Sequence, residues 1–148
     1  MFTDLMVLNV TYPSRKTKAE IDKLVGPAYS FMDRIKMKGI GSKKMILVDG
    51  SESILSLYND TKDTRYCNIE IRKNGLVVGF RSTLRIYVWL IPFYQLTLYH
   101  DGNQLTVYSL QDHMKMKAAF NGSIEKQFLL KMQEEQKPKR LKLLPGKS

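Results

Sequence analysis

At 148 residues the chain has a single-domain length, and its 43% hydrophobic content is enough for a proper core. Its one cysteine, Cys67, excludes an intramolecular disulfide and gives no support to a secreted disulfide scaffold. The net charge of +10 sits on the flanks: Ser14 to Lys44 hold nine basic and three acidic residues, Lys137 to Ser148 hold five basic and none acidic, and the remainder sums to −1. Basic flanks on a near-neutral centre imply attraction to an anionic surface, nucleic acid or lipid, unless the charge serves solubility alone.

The N-terminus, Met-Phe-Thr-Asp, lacks a basic region followed by an apolar one, so no signal peptide is expected and the expected location is cytoplasmic. Asn9-Val-Thr, Asn59-Asp-Thr and Asn121-Gly-Ser match the glycosylation pattern, but without a secretory signal they read as chance matches. Leu5 to Thr11 suits a short strand. Thr17-Lys-Ala-Glu20 forms a capping box with Thr17 as N-cap, and Ile21, Leu24, Val25, Ala28, Met32 and Ile35 recur at helical spacing. Gly26-Pro27 interrupts that pattern, which predicts a kink, or two short helices with Pro27 in the first turn of the second. Gly39 and Gly41 close the element. The apolar stripe is expected to pack against the sheet rather than form a groove for a partner. Met32 could also serve as an initiator, and residues before it would then be poorly ordered.

Lys44 to Val48 and Ser53 to Tyr58 read as two strands around Asp49-Gly50, followed by a polar loop from Asn59 to Arg65. Asn74-Gly75 is a hairpin signal of the type I′ kind. With those two residues as the loop, Lys73 faces Leu76, Ile71 faces Val78 and Ile69 faces Phe80, and Ile69, Ile71, Val78 and Phe80 share one surface. Glu70, Arg72, Val77, Gly79 and Arg81 take the other. Leu84 to Ile91 alternates with both faces apolar, Leu84, Ile86, Val88 and Leu90 against Arg85, Tyr87, Trp89 and Ile91, which predicts a strand covered on both sides. Pro92 predicts a bend, a bulge or a strand end. The apolar run from Ile86 to Tyr99 is about 14 residues, short of the ~20 of a membrane helix, and Pro92 and Gln95 interrupt it.

Asp101-Gly102 repeats the hairpin signal, setting Leu98 against Leu105 and Leu96 against Val107. Asp112 to Ala119 suits one more strand, with Met114 and Met116 on one side and Lys115 and Lys117 on the other. Ser123 is an N-cap candidate for a helix to Gln136 with Ile124, Phe128, Leu129 and Met132 as its buried stripe. Lys137-Pro138 is expected to end it, leaving a disordered basic tail. The chain thus divides into residues 1–43, an N-terminal strand and basic helical segment; 44–136, an antiparallel sheet domain with its C-terminal helix; and the tail, 137–148.

Sites of chemistry are scarce. Two histidines and one cysteine are too few for a standard His/Cys zinc site. His100 adjoins an expected turn and His113 a loop, which suits surface residues better than ligands, and spacing brings no base to Cys67. Asp49, Glu52, Asp60 and Asp63 lack a calcium-loop pattern. Gly146-Lys-Ser148 mimics the end of a phosphate-binding loop, but Leu141 stands where the first glycine belongs. Neither an enzyme, a cofactor nor a small-molecule substrate is expected. Arg85, Tyr87 and Trp89, alternating on one face, could stack exposed bases. They equally suit core beneath a helix, and Ile91, which continues the face as a dry residue, favours core. The candidate binding surface is Arg72, Arg81, Arg85, Tyr87, Trp89, Lys137, Lys139, Arg140 and Lys142.

The run of antiparallel strands, Ile91-Pro-Phe leading into a strand, a Gly-tipped hairpin and then an amphipathic helix resembles bacterial pleckstrin-homology-like domains over Lys44 to Gln136. Asp33 to Tyr99 also resembles short bacterial proteins of no known activity. The pleckstrin-like resemblance implies a two-sheet roll capped by the final helix, used as a non-catalytic binding or assembly module; the N-terminal helical segment departs from that layout. The expected class is therefore α+β, a bent antiparallel sheet or such a roll with an N-terminal helical segment and a C-terminal helix. The expected function is docking on a protein or an anionic membrane surface, assisted by Leu141, Leu143 and Leu144 among the tail charges. The alternative is nucleic-acid binding through the basic flanks and the aromatic face, with an affinity that falls steeply with salt.

Overall fold

The computed structural model describes residues 6–58, 64–119 and 124–142, with the side chains of the last helix described as far as Lys137. In chain order the elements are β1 (Val7–Asn9), α1 (Arg15–Val25), α2 (Phe31–Lys36), β2 (Met45–Gly50), α3 (Glu52–Leu55), β3 (Tyr66–Ile71), β4 (Gly75–Ser82), β5 (Arg85–Pro92), a 3-10 turn (Phe93–Gln95), β6 (Leu96–Asp101), β7 (Gln104–Ser109), β8 (Asp112–Ala118) and α4 (Lys126–Lys142). The strands make one eight-stranded sheet in the order β1-β5-β4-β3-β2-β8-β7-β6. Every neighbouring pair is antiparallel. The protein is thus an α+β fold built on an antiparallel sheet with a C-terminal helix.

Two-residue alternation explains which side of each strand is dry. Ile69, Ile71, Leu76, Val78, Phe80, Tyr87, Trp89 and Ile91 turn inward, and Leu96, Leu105, Val107, Met114 and Met116 continue the same core from the other half of the sheet. α4 covers that core with Phe128, Leu129 and Met132. The Gln136 side-chain amide donates to the carbonyls of Phe93 (3.2 Å) and Leu96 (2.5 Å), so the helix is tied to the turn between β5 and β6. The opposite face of β4 and β5 carries Val77, Val88 and Leu90, and α1 covers it with Ile21, Leu24 and Val25. From Tyr87 on, β5 is therefore covered on both sides, as its sequence predicts, but the expected start at Leu84 does not hold: Leu84 is 84% exposed in the turn before the strand, and Arg85 is exposed. The strand ends at Pro92, where the 3-10 turn begins.

Both hairpins form, and both pair two positions away from the expected register. Ile71 faces Leu76 and Ile69 faces Val78. The first turn is centred on Lys73-Asn74, with Arg72 N–H donating to the Gly75 carbonyl at 2.8 Å, and neither central residue has positive φ. Gly75 answers a different need, close approach: a Cβ there would meet the Ile91 carbonyl oxygen and lie 2.7 Å from Val25 Cγ1. In the second hairpin Leu98 faces Val107 and His100 faces Leu105. Its turn is centred on Gly102-Asn103, with Gly102 at φ 60°, the glycine-first pattern of a type II′ turn. A shift of two leaves every side chain on its expected face, because the period is two.

Elsewhere the elements differ more. Ser53 to Tyr58 is not a strand. Glu52–Leu55 is a helical turn, and the chain through it carries Ile54 and Tyr58 into the core. The cap of α1 is Ser14, not Thr17: the Ser14 hydroxyl accepts from Thr17 N–H at 3.2 Å, and the helix gains its first residues from that earlier start. Gly26 (φ 86°) ends α1, and α2 begins only after its own cap, Ser30, so Pro27 lies between the helices rather than inside the second. The single expected stripe consequently splits. Ile21, Leu24 and Val25 pack on the sheet, while Ala28, Met32 and Ile35 are exposed on or before α2. The described residues before Met32, from Met6 on, are part of the packed structure, with β1 paired to β5 and α1 laid over it. α4 does not stop at Lys137-Pro138; its backbone runs on to Lys142, although Pro138 withdraws the N–H that would face the Glu134 carbonyl and sets its ring against that carbonyl. The cap expected at Ser123 and most of the loop from Asn59 lie outside the described residues.

Candidate binding surface

The expected aromatic face is core. Trp89 is 1% exposed, and Tyr87 is buried with its ring stacked on Phe80 at 5.4 Å, which stacks in turn on Tyr58 at 5.3 Å. Arg85, at the start of the same strand, is exposed, so the three side chains offer no shared stacking surface. Arg72 is also committed. Its Nε donates to Glu70 Oε2 at 2.7 Å and its Nη1 to Asp22 Oδ1 at 3.4 Å and to the Gly26 carbonyl at 3.2 Å, so it fastens the end of α1 to β3. A guanidinium held by two carboxylates has little charge left for a partner. Arg81, Arg85 and Lys137 are exposed. Lys139, Arg140 and Lys142 lie on the last turns of α4, where side chains are not described.

The structure assembles a different constellation. A groove of about 650 Å³ opens beside β3 and β4, and among its lining residues are Lys44, Tyr58, Arg65, Tyr66, Asn68 and Arg81. No described residue of that lining is Asp or Glu. Gly79 leaves the wall bare: a Cβ there would stand 2.8 Å from Asn68 Oδ1. The Lys44 ammonium sits 4.7 Å over the Tyr66 ring and the Arg65 guanidinium 5.4 Å over the Tyr58 ring, contacts that hold both cations at the groove without neutralising them. No ion pair joins Lys44, Arg65 or Arg81 to a carboxylate among the described residues.

Tyr58 adds the second feature. Its hydroxyl is buried with no hydrogen-bond partner among the described residues, an uncommon state for a polar group. Burial raises its pKa above the ordinary tyrosine value, Arg65 offsetting part of the shift, so the group stays a neutral donor. An unpaired buried hydroxyl costs stability, and Tyr58→Phe is therefore expected to raise stability by about 1 kcal/mol in urea denaturation. A loss of stability instead would mean that the hydroxyl is satisfied in solution.

Chain position explains why this groove was not legible beforehand. Lys44, Arg65 and Arg81 are far apart in sequence and on three different strand ends, so no local spacing links them. Antiparallel pairing does: Ile46 lies opposite Tyr66, and Cys67 lies opposite Phe80, which sets Arg81 beside Tyr66. A second cavity, about 970 Å³, lies between the start of α4, the ends of β2 and β8 and the β6–β7 tip. It carries both signs of charge, including the Lys43–Glu125 ion pair at 3.1 Å.

Reactive groups are few here. Cys67 is 3% exposed, and burial pushes its thiol up to about 12, so it is protonated at neutral pH; its thiol points to Met116 Sδ at 4.0 Å. His113 packs against the Tyr108 ring at 5.8 Å. Among the described residues no three His, Cys, Asp or Glu side chains cluster as a metal site would need, and no helix is long and apolar enough to cross a membrane. Compared with known proteins, the chain matches no family model, no curated sequence and no solved structure.

Proposed function

We propose that this protein is a non-enzymatic docking module that recognises an anionic surface through the groove beside β3 and β4. The observation that carries the reading is the company around that groove: Lys44, Arg65 and Arg81 with no carboxylate among the described lining residues, beside Tyr58, whose buried hydroxyl has no partner among the described residues. Such a site is electrostatically incomplete until an anion with acceptor oxygens enters it. Architecture supports a binding role of the pleckstrin-homology-like kind. Setting β1 aside, the order β5-β4-β3-β2-β8-β7-β6 is a run of four strands joined to a run of three, with α4 against the turn between them. β1, α1 and α2 are additions to that layout.

The nucleic-acid reading loses its stacking face, because Tyr87 and Trp89 are core, and it retains only the basic flanks. A direct test uses inorganic pyrophosphate as the probe anion. It is expected to raise the thermal midpoint of the wild-type protein, through binding to the native state alone, and to leave a Lys44→Glu, Arg81→Glu double variant unmoved. Equal shifts in both proteins, or none in the wild type, would remove the groove as the site.

A further inference from the structure

We infer that the anionic surface is a lipid bilayer and that the β4–β5 tip enters its interfacial layer; this rests on the docking role just proposed. The two most exposed large hydrophobic residues of the described structure are Tyr12, 90% exposed, and Leu84, 84% exposed. They lie at one end of the molecule. Leu84 is a central residue of the β4–β5 turn, where Ser82 pairs with Arg85. β1 leads to the same place: Val10 N–H donates to the Ile86 carbonyl at 2.7 Å and Thr11 Oγ1 accepts from Ile86 N–H at 2.9 Å, with Tyr12 next in the chain. The turn holds Thr83 at φ 56°, a conformation that β-branched residues rarely adopt, and Leu84 follows it outward into solvent.

The charges that the hairpin and the start of α1 bring to this tip are all positive. Arg81 and Arg85 flank it on the hairpin, and Arg15, Lys16 and Lys18, all exposed, open α1 just beyond Tyr12. α1 runs away from the tip, since its last residue, Val25, accepts from Asn74 N–H at the far hairpin. Neither Met6 to Ala19 nor Ile71 to His100 contains a single Asp or Glu. An apolar point ringed by arginine and lysine fits a surface that is negative outside and hydrocarbon within. An acidic protein would match the ring but offers no reason for a bare leucine at its centre. A duplex takes a leucine only as a wedge between unstacked base steps, at a cost that a bilayer does not impose. The groove lies behind the tip, with Arg81 at both, so headgroup oxygens could reach it while Leu84 is immersed.

The experiment places an environment-sensitive fluorophore on Leu84→Cys. The native Cys67, buried and protonated, stays unlabelled. Vesicles of phosphatidylcholine with one-third phosphatidylserine are expected to shift the emission to the blue, and vesicles of phosphatidylcholine alone to leave it unchanged. Arg85→Gln should weaken vesicle binding roughly fivefold, the effect of one interfacial cation. Leu84→Asp should abolish it while keeping the wild-type thermal shift with pyrophosphate, because Leu84 does not line the groove. Binding to anionic vesicles without an emission shift would overturn the insertion. No vesicle binding, with the pyrophosphate shift intact, would overturn the bilayer and leave the groove standing. Loss of both would overturn both.

Discussion

Trp89→Ala is expected to destabilise the protein by about 4 kcal/mol, the range for deleting a large buried aromatic side chain. Trp89 is 1% exposed in the middle of β5, opposite Val78 of β4 on one side and Val7 of β1 on the other. Removing the indole takes apolar surface out of the core and leaves a cavity whose walls belong to a hydrogen-bonded sheet. Those strands cannot close on it without breaking their ladder. Since this is the chain's one tryptophan, unfolding must be followed by circular dichroism rather than intrinsic fluorescence. A residue that served a stacking surface would give the opposite pattern, near-normal stability with lost binding. A urea midpoint that does not move would mean that Trp89 is not core.

Gly75→Ala is expected to cost about 3 kcal/mol, at the upper end for overpacking, although glycine and alanine differ by a single methyl group. That methyl would meet the Ile91 carbonyl oxygen and stand 2.7 Å from Val25 Cγ1. Neither neighbour can give way easily. Asn74 N–H donates to the Val25 carbonyl and Phe93 N–H to the Asn74 carbonyl, both at 2.9 Å, so the hairpin is held between the end of α1 and the end of β5. The control is Gly102→Ala. Gly102 also sits in a hairpin turn, but with open space around it and φ 60°, so only backbone strain applies and about 1 kcal/mol is expected. Denaturation in urea separates the two. Equal losses would show that turn conformation, not close approach, explains Gly75.

Those two glycines mark where local reading stops. Each pairs with an asparagine or aspartate in a way that announces a turn, and each turn is there. The dipeptide could not show that Gly75 is wanted for an encounter with Val25 and Ile91, which lie 50 and 16 positions away. Without that encounter the dipeptide centres the turn one residue late, and the pairing follows it. Ser53 to Tyr58 erred differently: six residues are too few for periodicity to separate a half-buried helical turn from a strand. Nothing beside Arg72 in the chain announces Asp22 or the Gly26 carbonyl, which reach it only with α1.

Legible in the chain alone were the antiparallel strands around the glycine-tipped turns, the inward face of each, the coverage of β5 on both sides from Tyr87 on, the break at Pro92 and the Phe128, Leu129, Met132 stripe of α4. All of these follow from side-chain period and from residue types that permit or forbid a backbone conformation within a few positions. The order of the strands, and the meeting of Lys44, Arg65 and Arg81 with Tyr58 in the lining of one groove, belong to the tertiary structure alone. The reason is distance along the chain: a groove made by three strand ends exists only once β2, β3 and β4 lie side by side, and no residue within any one of them carries the position of the other two.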